Sequence, residues 1–266
     1  MHRLSGITDA TGVDVDQLDI TNAANVRDFV RTLKPTLIVN CAAFNDVDGA
    51  ESNPLAALRT NGDAVWTLAM LARGLGALFV HYTTEFVFDG QLDRPYTEED
   101  EPAPTSVYGM SKLVGERFAI MAGRHYVLRL SSVYGGHARR TAVDWILAQC
   151  RAGRKVTAFA DRTVSPSYVP DIVEATIELA VGSAPFGTYH CGSCDWCAWT
   201  DIATQILARI GKAELLESVR FANATHKAAR PRNCAMSSEK LKGVGVATRA
   251  WSDALADYLS KQPISC

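Results

Sequence analysis

A chain of 266 residues with 47% apolar and 21% charged side chains and a formal net charge of −2 has the composition of an ordinary globular protein, long enough for one or two domains with a sizeable core. The near-neutral balance offers no global attraction to nucleic acid or to an anionic membrane, and those partners are not expected. No window holds the roughly 18 uncharged apolar residues of a membrane-spanning helix. The opening MHRLSGITDATG lacks an apolar export core, so its seven cysteines are expected as reduced thiols in a cytoplasmic setting.

In chain order, a helix is predicted near 21–33, followed by a buried strand, TLIVNCAA (36–43). A helical pattern over 54–73 leads to a second strand, ALFVHYTTEFVF (77–88), whose polar residues bunch at its far end. A helix over 108–121, a strand YVLRLSSVYG (126–135), a helix over 141–152 and a fourth strand KVTAFAD (155–161) come next. Continuous apolar strands alternating with helices predict an α/β, Rossmann-like doubly wound parallel sheet covered on both faces. Such sheets bind ligands at the carboxyl ends of their strands, where Asn40 to Asn45 and Thr83 to Glu85 would sit. Beyond about residue 160 the pattern loosens into a helix starting near Pro170, a short strand GTYHCG, and a helix WTDIATQILARIG with Thr200 as its cap and Gly211 as its stop. This predicts a dinucleotide-binding domain over 1–160 and a smaller α+β substrate lobe over 161–266, with the chain crossing between them and a cleft where they meet.

SVYGMSKLVGE (106–116) places Tyr108 and Lys112 one helical turn apart, after prolines that keep 102–105 out of the helix. An ammonium beside a phenol lowers the phenol's usual pKa of ~10 and equips it for proton transfer near neutral pH. The spacing alone favours a solvated surface pair. Thr84, at the end of the strand before it, can hydrogen-bond a bound carbonyl or merely cap the strand. Together, Thr84, Tyr108 and Lys112 resemble the Ser/Thr–Tyr–Lys set of extended short-chain dehydrogenase/reductases.

The resemblance extends in order from about residue 19 to 241. HYTTEFVFDG (81–90), RPYTEEDEPAPTSVYGMSKLVGE (94–116), VNCAAFNDVDGAES (39–52) and ARPRNCAMSSEKL (229–241) are similar to motifs of the dTDP-4-dehydrorhamnose reductase family. Members of that family reduce the 4-keto group of a nucleotide sugar in dTDP-L-rhamnose biosynthesis. The resemblance implies an oxidoreductase that uses NADPH or NADH on a nucleotide-sugar substrate, and a possible homodimer. It implies catalytic roles for Thr84, Tyr108 and Lys112, with Tyr108 giving a proton to the alkoxide and Lys112 holding the nicotinamide ribose. It further implies cofactor contacts from Asp19, Ile20, Ala42, Ala43, Phe44 and Asn45 as well as Tyr108 and Lys112. Substrate contacts would come from Thr84, Glu85, Ser132 and Arg230, and Asn61 matches the superfamily's helix asparagine. No metal ligand is implied.

Three departures stand out. The family's first strand and its G-x-x-G-x-x-G turn have no counterpart here, so HRLSGIT (2–8) reads as the family's second strand, with Asp9 at its end. Loss of a central strand leaves backbone groups unpaired at about 1–3 kcal/mol each; a start codon placed too far downstream is the favoured explanation, against a sheet that closes up or borrows a strand and a degenerate product. The family's Asp after the threonine is Glu85, one methylene longer. Ser132 stands where the family carries a tryptophan at the sugar pocket, which predicts altered sugar specificity. Among competing readings, CGSCDWC (191–197) beside His190, with Cys234, could hold zinc or an iron–sulfur cluster, or be buried thiols acting as small apolar side chains. HARR (137–140) could place Arg139 or Arg140 near a substrate pyrophosphate, or be a solvated loop. The alternative to an enzyme is a catalytically inactive or regulatory nucleotide-binding subunit of the same fold.

Overall fold

The apolar runs become strands. In the computed structural model, which describes residues 9–136, 141–223 and 226–262, these are β1 (Leu37–Asn40), β2 (Leu78–Thr84), β3 (His125–Leu130), β4 (Val156–Phe159), β5 (Thr163–Val164), β6 (Gly187–His190), β7 (Cys197–Ala198), β8 (Leu216–Val219) and β9 (Asn233–Cys234). The helices are α1 (Ala23–Leu33), α2 (Val47–Ser52), α3 (Pro54–Leu58), α4 (Ala64–Leu75), α5 (Val107–Ala119), α6 (Ala142–Arg151), α7 (Val169–Val181), α8 (Trp199–Ile210), α9 (Glu239–Gly243) and α10 (Trp251–Ser260).

Strands β1, β2, β3 and β6 form one sheet in that order, every pair parallel. On one face Val26 and Val30 of α1 and Val65, Leu68 and Ala69 of α4 pack against Phe79 and Val127. On the other, Ile172 and Leu179 of α7 and Leu241 of α9 pack against Val80, Tyr126, Leu128 and Tyr189. Coverage of both faces is why β3 is buried at every position and why its sequence shows no alternation. Among the described residues β1 pairs with β2 alone, and Leu37 to Val39 stay half-buried. HRLSGIT, expected beyond β1, and HARR both lie outside the described residues.

KVTAFAD corrects one expectation. Its strand, β4, does not join the central sheet but pairs in parallel with β8 in a separate two-stranded sheet. Val156 and Ala158 are buried while Thr157 is exposed, the alternation of a strand covered on one face. That face packs on Ile146 and Leu147 of α6 and Ile206 and Leu207 of α8. The central sheet takes its fourth strand from GTYH, β6, instead. A third sheet, β7-β5-β9, is also separate from the central one. The chain thus leaves the central sheet after β3, returns for α7 and β6, leaves again, and revisits it with α9.

Local signals set several ends. Ser106 caps α5 by accepting from the Gly109 amide at 3.1 Å, and Thr141 and Asp144 cap α6 reciprocally. The pattern at 54–73 is interrupted: α3 and α4 are separated by a π-turn over Arg59–Asp63. Helix α8 begins one residue before Thr200, and the Ala198 amide donates to Asp201 at 2.8 Å, so Thr200 is not its cap. Gly211 ends it with φ 73°. No described helix is long and apolar enough to cross a membrane.

Candidate active site

The site assembles where β2 ends against the start of α5. Two glycines of SVYGMSKLVGE permit the contact. A Cβ at Gly109 would stand 2.2 Å from the Phe86 carbonyl oxygen, and one at Gly115 would stand 2.1 Å from that of Asn61. Helix α5 therefore lies directly on the 3-10 turn Glu85–Val87 and on the π-turn. Glu51 of α2 accepts from the Val107 amide at 2.9 Å and anchors the helix start. Tyr108 is buried, with the Phe86 ring edge-on at 5.6 Å between centres.

Thr84 donates through Oγ1 to Glu85 Oε2 at 2.7 Å, and Ser131 donates to Glu85 Oε1 at 3.2 Å. Burial pushes the Glu85 carboxyl up, opposed chiefly by the Thr84 hydrogen bond and then by the charge of Arg162. Burial also raises the Tyr108 phenol, the Glu85 charge adds to this, and a hydrogen bond with Thr84 works against it. Lys112, itself buried, donates to the Tyr82 carbonyl at 2.8 Å. Burial pulls its ammonium down to about 8, with Glu116 opposing. The expected acidified phenol is thus not what the structure holds. The ammonium is turned to a strand carbonyl while the phenol faces a carboxyl group, so desolvation dominates both groups.

At the carboxyl end of β1, the Ala42 amide donates to the Asn40 side chain at 3.1 Å. Asn61, in the π-turn, clamps the Phe44 backbone by accepting from its amide at 2.8 Å and donating to its carbonyl at 3.1 Å. It also donates to Ser111 of α5 at 2.9 Å. Ala42 and Asn45 are exposed and Ala43 and Phe44 half-buried, so this loop rims the site. The exposed Asp19 spends its carboxylate on the Thr21 amide and hydroxyl, both at 2.8 Å, leading into α1, while Ile20 packs on the α1–α4 core. No described contact joins either to the Thr84–Tyr108–Lys112 group. Ser132 holds φ 46°, a left-handed conformation that costs a non-glycine residue about 1–3 kcal/mol. Arg230, expected on the substrate side, is instead held by Asp48 of α2 through two bonds of 3.0 and 2.8 Å, which keep that carboxyl well below its usual range.

Sequence reasoning missed two features. Glu116, at i+4 from Lys112, forms a two-bond buried pair with Arg129 of β3 at 3.1 and 2.9 Å. Its helical spacing was readable, but its partner lay hidden in an apolar run. Arg162 reaches over the Phe86 ring from the smaller lobe, its guanidinium 6.0 Å from the ring centre, and only tertiary packing brings it there. Of the cysteine cluster, Cys191 and Cys197 are buried and Cys194 is exposed. Among the described residues no group of three or more His, Cys, Asp or Glu side chains is gathered to hold a metal.

The donors at the strand ends fit the ribose end of a dinucleotide. The Lys112 ammonium has three N–H groups, of which the Tyr82 carbonyl takes one, and Thr83 Oγ1 is buried without a partner among the described residues. No Gly-rich turn follows a strand among the described residues to take the pyrophosphate.

A parallel sheet covered on both faces, with threonine, tyrosine and lysine gathered at its strand ends, is the arrangement of extended short-chain dehydrogenase/reductases. The sequence matches the RmlD substrate binding domain over residues 2–263, and the chain belongs to that family. It is 36% identical over 233 residues to a probable low-salt glycan biosynthesis reductase, Agl14, of Haloferax volcanii, covering 85% of this chain and 77% of that one. It is 30% identical over 256 residues to the dTDP-4-dehydrorhamnose reductase of Streptomyces griseus, covering 93% and 84%. The fold superposes with a TM-score of 0.90 on dTDP-4-dehydrorhamnose reductase from Bacillus anthracis in complex with NADP, at 27% identity over 97% of this chain and 92% of that one.

Proposed function

We propose that the chain is an NAD(P)H-dependent reductase of the 4-keto group of a nucleotide sugar, with dTDP sugars the first substrates to test. The carrying observation is that Thr84, Tyr108 and Lys112 are buried together at the carboxyl end of β2, with Lys112 one turn along α5 from Tyr108 and its ammonium on the Tyr82 carbonyl. A reduced nicotinamide, when bound, supplies the hydride. Tyr108, its pKa raised, is fully protonated at neutral pH and so serves as the acid that gives its proton to the developing alkoxide. Thr84, whose hydroxyl donates to Glu85, would turn that donor to the substrate carbonyl and favour the growing negative charge. Lys112 supplies a positive charge beneath the site, and Asn61 fixes the Phe44 loop at its rim. The relatives named as dTDP-4-dehydrorhamnose reductases and the Agl14 reductase support a sugar-nucleotide reductase.

A second reading, a nucleotide-binding subunit without catalysis, draws on two features of the described residues: β1 pairs with β2 alone, and no phosphate-binding turn follows a strand. Oxidation of NADPH and NADH by dTDP-4-keto-6-deoxy sugars decides between them. The wild-type chain is expected to turn over, and Tyr108→Phe to lose about 10²–10⁴-fold in kcat while still binding cofactor. A folded wild-type chain that binds neither cofactor in a fluorescence titration would establish the second reading.

A further inference from the structure

We infer that Arg162 grips the diphosphate of the nucleotide-sugar substrate, an inference that rests on the reductase reading above. Arg162 lies immediately before β5, on the smaller lobe, and its side chain reaches toward the central sheet. Its guanidinium stands 6.0 Å from the centre of the Phe86 ring and 5.3 Å from that of Phe221. Nε donates to the Pro231 carbonyl at 3.2 Å, and Nη2 reaches Cys234 Sγ at 3.7 Å. Aromatic faces and a carbonyl fix the plane of the fork and leave N–H groups to spare.

What distinguishes this arginine is that it is half-buried yet has no counter-charge among the described residues, whereas every other described arginine is exposed or paired with a carboxylate. Arg94 pairs with Asp100, Arg129 with Glu116, Arg230 with Asp48, Arg232 with Asp93 and Arg249 with Asp171. Among the described residues no carboxylate lies within 4.0 Å of Arg162, half-buried though it is. The Cys234 thiol does not neutralise it, because burial pushes that thiol up to about 12. The Glu85 carboxyl is near enough for its charge to be felt but not near enough to pair. A half-buried, pre-oriented guanidinium without an anion is a ready site for one, and its planar fork matches two phosphate oxygens.

The position fits the substrate. Phe86 neighbours both groups, its ring centre 5.6 Å from that of Tyr108 and 6.0 Å from the Arg162 guanidinium. In a nucleotide sugar the reacting C4 and the diphosphate-bearing C1 lie across one pyranose ring. A hexose with its carbonyl on Tyr108 would therefore direct its diphosphate toward Arg162. Arg230, whose charge is already paired with Asp48, is not offered for this role.

Calorimetric titration of the full chain with dTDP, UDP, thymidine and NADPH tests this, using wild type, Arg162→Gln and Arg162→Lys. The wild-type chain is expected to prefer both diphosphates to thymidine. Arg162→Gln should lose more than about tenfold in affinity for dTDP and UDP, with thymidine and NADPH unchanged. Arg162→Lys, which keeps the charge without the fork, should fall between them and carries the test if the glutamine variant does not fold. Unchanged dTDP affinity in a folded variant, an equal loss for thymidine, or a wild type that does not prefer dTDP to thymidine would overturn the inference. Tight, Arg162-dependent dTDP binding without turnover of any keto sugar would instead sink the reductase reading and leave the diphosphate site standing.

Discussion

Lys112 is 3% exposed, yet it must carry charge to act on a bound hydroxyl. Burial sets its pKa at about 8, against ~10.4 in an unfolded chain. His81, beside it on β2, adds no charge, because burial and Lys112 itself push the imidazole well below its usual range. Between about pH 8 and 10.4 the unfolded chain binds more protons at this site than the folded one, so the Lys112 contribution to stability grows as pH rises through that window. Activity moves the other way, since the deprotonated amine loses its charge. We expect kcat/KM to fall as pH rises through about 8, a limb that Lys112→Met removes along with most of the activity. A flat wild-type profile between pH 7 and 9 would contradict this assignment. At the same scale, Tyr108 shows how far a residue pair can be read from a sequence. Its spacing from Lys112 was legible, but its ionisation was not, because desolvation and the Glu85 carboxyl depend on what surrounds the ring.

Helix α5 carries the site, and its placement depends on the absence of two methyl groups. At Gly115 a Cβ would meet the Asn61 carbonyl at 2.1 Å, so Gly115→Ala must lift the helix from the π-turn that orients Asn61. We expect about 1–3 kcal/mol of destabilisation in urea unfolding, with a loss of activity as Asn61 and Ser111 separate. Gly74→Ala in α4 is the control. Nothing lies within 4 Å of its Cβ, so the same substitution there should stabilise the chain by about 0.5–1 kcal/mol. Equal effects at the two glycines would remove the close-approach argument. The motif displayed both α5 glycines without the reason for them. The π-turn that supplies the reason arises only when α3 and α4 pack as one interrupted helix, whereas the uninterrupted apolar pattern at 54–73 predicted a continuous one.

Across the whole molecule, buried charge joins elements far apart in the chain. Arg129 of β3 holds Glu116 of α5, approaches His190 of β6 at 3.4 Å, and lies 5.0 Å from the Phe88 ring centre. Arg129→Met would leave the Glu116 carboxyl buried and unpaired, at an expected cost of about 3–5 kcal/mol. Adding Glu116→Leu should recover much of the lost stability, because two apolar side chains need no counter-charge. Denaturant midpoints for the two single variants and the double variant measure this. A double variant no more stable than Arg129→Met would show that the pair does more than satisfy each other's charge. Asp48 and Arg230, 182 residues apart, tie α2 to the segment that follows β8.

The local order of apolar runs, breakers and caps by itself determined the parallel sheet, the start of α5 and the turn-apart placement of Tyr108 and Lys112, because these depend on neighbours a few residues away. Tertiary structure alone decided that KVTAFAD leaves the central sheet for β8, that Arg230 is spent on Asp48, and that Arg162 comes over Phe86. Strand partners and ion pairs are chosen by surfaces that meet only after the chain has folded, and by how much water is driven from between them.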